Sequence, residues 1–254
     1  MKNKLIMKTK RIDLMDTSFL IYAQIESEDR RINLSLVINY IHKYFKTKIL
    51  LLEIDAVPKI DDEYILNNKN IEYEFIQDSS EIFHTTKYRN LLVTKCKTPF
   101  FFICDSDIIL SPKAIEQSIE YLRTTILPTL VYPYNGDFHQ VFENDRNKFS
   151  KILDYDFFQG REKEFTYMHK YSVGGAFGGR IIDYLGQTID NEKIYGWGPD
   201  DKERYYRLKK NGFKVVRFDY PLFHLYHIRK KNSKPSDINL TTKNNIEYLK
   251  VFMP

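Results

Sequence analysis

Three short stretches of this 254-residue sequence carry side chains that could do chemistry together. In "CDSDIIL", Asp105 and Asp107 stand one residue apart at the end of the apolar run "PFFFI". Burying two carboxylates there is costly unless something compensates them. At the lip of a sheet, such a pair can hold a divalent cation and a ribose hydroxyl together. The plain alternative is a turn after a strand, where aspartate is common. The second stretch is "HLYH", with His224 and His227. Imidazole is a good ligand for manganese, iron or zinc and a poorer one for magnesium. Residues three apart share a helix face but diverge along a strand, so the two can share an ion only if the strand has ended by Phe223.

The third stretch is "YGWGPDDKERYYRLKKNG", residues 195 to 212, which holds the only tryptophan, Trp197, between two glycines. Helix capping explains part of it. Pro199 suits a first turn, and Asp200, Asp201 and Glu203 sit near the positive end of the helix dipole. Lys209 and Lys210 sit near the negative end, and Asn211-Gly212 can close the helix. Capping does not account for Gly196-Trp197-Gly198. Upstream, "SVGGAFGGR" has several glycines but not the GxGxxG spacing of a dinucleotide site. Gly174 and Gly175 are expected to let backbone approach a ligand closely.

The elements that must position these residues read as an alternation. Strands are expected at "SFLIYAQ" (18 to 24), "KILLLEID" (48 to 55), "IEYEFIQ" (71 to 77), "PFFFICDSD" (99 to 107) and "TLVYPYN" (129 to 135). Helical periods separate them at 28 to 45, 85 to 96 and 111 to 125. That pattern predicts an α/β fold with a mostly parallel sheet, whose ligands bind outside the carboxyl ends of the strands. The rule points at Gln24 to Ser27, Glu53 to Asp55, and Asp105 to Asp107. Residues 136 to 172 show no clear period, 213 to 223 read as one strand, and 240 to 252 as a terminal helix.

Composition sets the bounds. At 43% hydrophobic, the chain can bury a sizeable core in one domain. Its net charge of +5, from 39 basic and 34 acidic residues, is too mild to argue for nucleic acid. No apolar run reaches the ~18 to 20 residues of a membrane helix, and the start lacks a secretory pattern, so a cytoplasmic protein is expected. Basic clusters at the N-terminus and in "HIRKKNSKP", 227 to 235, could touch an anionic membrane surface at its inner face. Cys96 and Cys104 lack zinc-site spacing and read as reduced, packed thiols.

In this order the pieces resemble GT-A-fold glycosyltransferases. They look most like those with a galactosyltransferase-type C-terminal half, such as animal β-1,4-galactosyltransferases and bacterial chondroitin-type polymerases. "GGAFGGRIIDYLGQ…YGWGPDDKERYYRL" is similar to the family's glycine-glycine segment followed by Gly-Trp-Gly and an acidic pair opening a helix. "HLYHIRKKNSKP" is similar to its metal-binding histidine segment. The resemblance implies one GT-A domain over 1–254: a nucleotide-sugar half at 17–135, an acceptor and metal half at 136–235, and a C-terminal helix at 236–254. It implies a metal-dependent, inverting transfer of a hexose or N-acetylhexosamine from a UDP-sugar to a glycan or glycolipid. Asp107, His224 and His227 would bind Mn2+ or Mg2+, and Asp105 the nucleotide sugar. Asp201 would be the catalytic base, while Trp197 and Asp200 would seat the acceptor. Three departures stand out. Asp200 is one methylene shorter than the family's usual glutamate, Pro199 replaces a common glycine, and "DYLGQTIDNEK" replaces the usual asparagine-glycine-phenylalanine link.

Around that core, Gln24 and Glu26 follow the first strand, where the fold places uracil. Glu53 and Asp55 follow the second, and Lys87, Arg89 and Asn90 precede the DxD strand, where they could meet nucleotide or phosphate. Competing readings are a retaining GT-A enzyme, a nucleotidyltransferase, for which no glycine-rich triphosphate loop is present, and a non-catalytic nucleotide-sugar-binding subunit.

Overall fold

The computed structural model describes residues 10–184, 189–230 and 237–253. The first half alternates: β1 (Ile12–Ala23), α1 (Glu28–Tyr44), β2 (Phe45–Asp55), α2 (Glu63–Asn67), β3 (Ile71–Gln77), α3 (Thr85–Lys95), β4 (Phe100–Cys104), β5 (Ile108–Ile109), α4 (Pro112–Thr124) and β6 (Thr129–Tyr132). The second half adds β7 (Phe138–Val141), α5 (Glu143–Ile152), β8 (Thr166–His169), β9 (Ala176–Arg180), α6 (Asp200–Lys210), β10 (Lys214–Arg217), β11 (Leu222–Leu225) and α7 (Ile238–Leu249).

Seven strands form one sheet in the order β10-β6-β9-β4-β1-β2-β3. β1, β2, β3 and β4 pair in parallel, as do β6 and β10. β9 runs antiparallel between β4 and β6, so the sheet is mixed. Its central strands are continuous apolar runs because both faces are covered, and Phe19, Leu20, Ile21, Ile49, Leu51, Phe101 and Phe102 are buried. A second sheet, β5-β11-β7-β8, carries the metal-ligand candidates. Local signals hold the helices. Ser27 caps α1, accepting from Arg30 N, and Ser111 caps α4, accepting from Ala114 N with Pro112 in the first turn.

Two expectations need correction. Residues 213 to 223 are not one strand. β10 and β11 are separated by a turn containing Pro221, which has no N–H to give a ladder, and they join different sheets. Residues 136 to 172, read as irregular, contain β7, α5 and β8. The glycine-rich run becomes the central strand β9. A Cβ on Gly178 would lie 2.6 Å from the Phe101 carbonyl oxygen and from the Phe102 ring, so a glycine is what lets this strand fit against β4. Both cysteines are free and buried. No described helix is long and apolar enough to cross a membrane. Most of each basic cluster, residues 1–9 and 231–235, lies outside the described residues, as does part of the 183–193 link.

Gly178→Ala is expected to lower stability by about 1–3 kcal/mol through overpacking, read as a lower urea midpoint with unchanged slope. An unchanged midpoint would contradict this strand contact.

Candidate functional site

The sheet brings the DxD lip and the histidines together by register. β4 ends at Cys104, and Asp105 N donates to Gly175 O at 2.8 Å. β5 begins one residue after Asp107 and pairs antiparallel with β11, His224 opposite Ile108. Leu225 N then donates to Asp107 O at 2.7 Å. β11 therefore runs through His224 and ends at Leu225, two residues later than sharing an ion had seemed to require. The chain turns there instead. Asn33 donates to Leu225 O and Tyr226 O, Arg146 donates to Tyr226 O, and the turn swings His227 back until the two imidazole centroids are 5.3 Å apart.

His224 Nε2 lies 3.6 Å from Asp107 Oδ1, and His227 Nε2 lies 3.3 Å from Asp107 Oδ2. One ligand atom from each residue falls within 4.8 Å of the others, and all three side chains are buried. His227 Nδ1 donates to Ile228 O at 3.1 Å, which orients the ring with Nε2 toward Asp107. Two imidazoles and a carboxylate suit a divalent transition metal such as manganese, so the residues present fit the cation that the family likeness implies. Burial works to raise the Asp107 pKa, but His224, His227 and Arg30 outweigh it and hold the group below the usual carboxylate range. Burial lowers His224 to about 4, so it is neutral and able to bind a cation at neutral pH. Asp105 behaves oppositely. Burial, then the charges of Asp107 and Asp201, push it up to about 7, and Tyr22 OH donates to its Oδ1 at 2.7 Å.

A second cluster lies at the head of α6. Arg89 NH1 donates to Asp201 Oδ1 at 2.9 Å, and its NH2 pairs with Asp200 Oδ2. Its Nε is 2.6 Å from Asp190 Oδ2, an ion pair off the line of a hydrogen bond. Arg204 NH1 donates to Asp190 Oδ1 at 2.9 Å and NH2 to Asp201 Oδ1 at 2.7 Å. Its guanidinium stacks 3.7 Å from the Phe177 ring centroid. Both arginines thus converge on one oxygen of Asp201. The other oxygen faces Gly174, where a Cβ would collide with it. Burial favours the neutral form of Asp201, but Arg204 and Arg89 prevail and its pKa is lowered. Asp200 is raised to about 7, by burial first and then by Asp201. The Asp201 side chain keeps 34% exposure.

A cleft of about 240 Å³ opens over the metal-ligand candidates. It is lined by Gln24, Glu26, Asp105, Asp107, His224, His227 and Trp197, with Tyr22, Arg30, Phe138 and Arg229 among its other walls. Trp197 is 46% exposed. Asp200 and Asp201 are not among the lining residues, although the charge of Asp201 reaches Asp105 and Tyr22.

Other expected ligand residues are occupied elsewhere. Glu53 is buried and accepts from Lys59 N, Ile60 N and Tyr73 OH. Asp55 pairs with Lys59 at 2.6 Å. Arg89 holds the acids of α6, and Asn90 exchanges hydrogen bonds with the Asp190 backbone. Lys87 lies over the Tyr88 ring. None of these five lines the cleft. At Gly174 the close approach is by Asp201, and at Gly175 by Leu222, so protein fills the space expected for a ligand. Sequence reasoning missed Tyr22, Asp190, Arg204 and Arg229. Arg204 had a signal, since it stands one helical turn after Asp201. Asp190 sits in an irregular link and had none.

No protein-family model matches the sequence, and no curated protein matches it. Solved structures do. A Staphylococcus aureus TarS fragment in complex with UDP-GlcNAc superposes with a TM-score of 0.56 at 10% identity over 86% of this chain, which spans only 61% of that one. The catalytic domain of Drosophila β1,4-galactosyltransferase 7 with xylobiose gives 0.54 at 12% identity, covering 91% of this chain and 78% of that one. A mutant of the Drosophila enzyme with manganese, UDP-Gal and xylobiose gives 0.54 at 11% identity over 89% and 78%. At such identities the likeness is one of fold, and the chain has the GT-A-like α/β fold of these glycosyltransferases.

Proposed function

We propose that the chain is a divalent-cation-dependent glycosyltransferase that moves a hexose or N-acetylhexosamine from a UDP-sugar to a glycan or glycolipid hydroxyl, with inversion. The observation that carries this reading is the convergence of Asp107, His224 and His227 in a cleft that also holds Asp105 and Trp197. Structures of the same fold hold UDP-GlcNAc in one case, and manganese with UDP-Gal in another.

A cation held by Asp107, His224 and His227 supplies positive charge to a departing diphosphate. The imidazole pair favours manganese over magnesium. Gln24 and Glu26, which line the cleft, would take the nucleotide, and Arg229 adds a cation to its wall. Trp197 offers an apolar ring face and an N–H donor to an acceptor sugar. Asp201 takes the acceptor hydroxyl proton on its arginine-free oxygen as the acceptor oxygen bonds to the anomeric carbon and the bond to the diphosphate breaks. Its lowered pKa keeps it ionised at neutral pH. Asp200, one methylene shorter than the family's glutamate, is partly protonated near neutrality and can offer the acceptor a donor as well as an acceptor oxygen.

Asp201→Asn is expected to leave UDP-sugar affinity near the wild-type value and to cut turnover at least ~100-fold, measured in a coupled UDP-release assay. Unchanged turnover removes Asp201 as the base. His227→Ala is expected to weaken manganese-dependent UDP binding by roughly tenfold or more in titration calorimetry. An identical manganese requirement in wild type and variant removes that ligand.

A further inference from the structure

The Gly196-Trp197-Gly198 turn is held by the C-terminal helix. The buried residues of α7 are Leu240 and Asn244, four apart on one face. Both meet this turn. Asn244 Nδ2 donates to Tyr195 O at 2.9 Å and to Trp197 O at 3.4 Å. A Cβ on Gly198 would lie 2.8 Å from that same nitrogen. Gly196 has φ +68°, and a Cβ there would sit 2.7 Å from Ile82 Cγ2 and 3.2 Å from Leu240 Cδ2. On the other side, Gly196 N donates to Phe83 O at 3.2 Å. The two glycines therefore make room for helix side chains and for Ile82.

We propose that α7 is a working part of the acceptor site, with Asn244 and Leu240 as positioning residues that set where the Trp197 ring stands in the cleft. Asn244 is fully buried, and among the described residues its Oδ1 has no hydrogen-bond partner. A buried amide with an unmet acceptor is costly, and an apolar side chain of that size would avoid the cost. What the amide adds is its donor, directed at the carbonyls on either side of Gly196. The rest of α7 contributes little to the core: Ile238, Ile246 and Leu249 are exposed. The consequence for acceptor binding rests on the transferase reading. The clamp on Trp197 does not.

Because Trp197 is the only tryptophan in the chain, its fluorescence reports this turn alone. In the full chain, Asn244→Asp replaces the donor with a second acceptor at nearly the same volume. Gly198→Ala presses on the amide from the opposite side. In either folded variant the ratio of held to released turn should fall by roughly tenfold, seen as a red shift of Trp197 emission and steeper quenching by acrylamide. A folded variant with wild-type emission and quenching would overturn the proposal. Should both substitutions prevent folding, NMR of the unmodified chain decides. Slow solvent exchange of the Asn244 side-chain amide protons supports the clamp, and exchange as fast as an exposed amide overturns it. If wild type hydrolyses no UDP-Gal, that counts against the transferase reading, while the fluorescence result stands.

Discussion

Two buried guanidinium groups shared among three carboxylates are the contact on which the rest of this structure depends. Arg89 comes from α3, Arg204 from α6, Asp190 from the link before α6, and Asp200 and Asp201 from its first turn. With every group ionised the cluster carries one negative charge more than it neutralises. The structure meets that excess unequally: Asp201, gripped by both arginines, has its pKa lowered, while Asp200 is raised to about 7. Neighbouring carboxylates driven apart in this way are how one site comes to hold an ionised base beside a group that retains its proton. Removing one partner of such a buried network leaves an uncompensated charge, so α3 and α6 are locked in register by electrostatics as well as by packing.

The metal-ligand candidates follow the same logic with a different counter-charge. Asp105 and Asp107 end an apolar strand and cannot both be ionised cheaply in a dry site. Asp107 faces His224, His227 and Arg30, whereas Asp105 meets the phenol of Tyr22 and the negative charges of Asp107 and Asp201, which with burial outweigh the positive charge of Arg89. Asp105 also links the two halves of the site, because the field of Asp201 reaches it.

What was legible in the sequence divides along physical lines. β3 matches its expected bounds, and α1, α3 and α4 end within a residue of theirs, because period, caps and Pro112 are local signals. The DxD lip followed from an apolar run ending abruptly in acids. The histidine pair was harder. Its convergence depends on where β11 stops, and that is set by Asn33 and Arg146 from distant helices. The glycines misled in an instructive way. Gly174, expected to make room for a ligand, admits Asp201, and Gly178 is a central strand residue whose missing Cβ admits Phe102. Arg89 and Asn90 carried the chemistry of phosphate binders, and no sequence rule showed that acids a hundred residues later would claim them. The Gly-Trp-Gly turn was recognisable by resemblance, but its cause lies in Leu240 and Asn244, which nothing local points to.

The account stands or falls on Asp107, His224 and His227 closing around one ion. Pulsed electron paramagnetic resonance of the protein with Mn2+ and UDP tests this most directly. The account predicts nitrogen couplings from two imidazoles, one of which disappears in His224→Ala. A manganese signal with no nitrogen coupling, carrying only water and phosphate ligands, would contradict it.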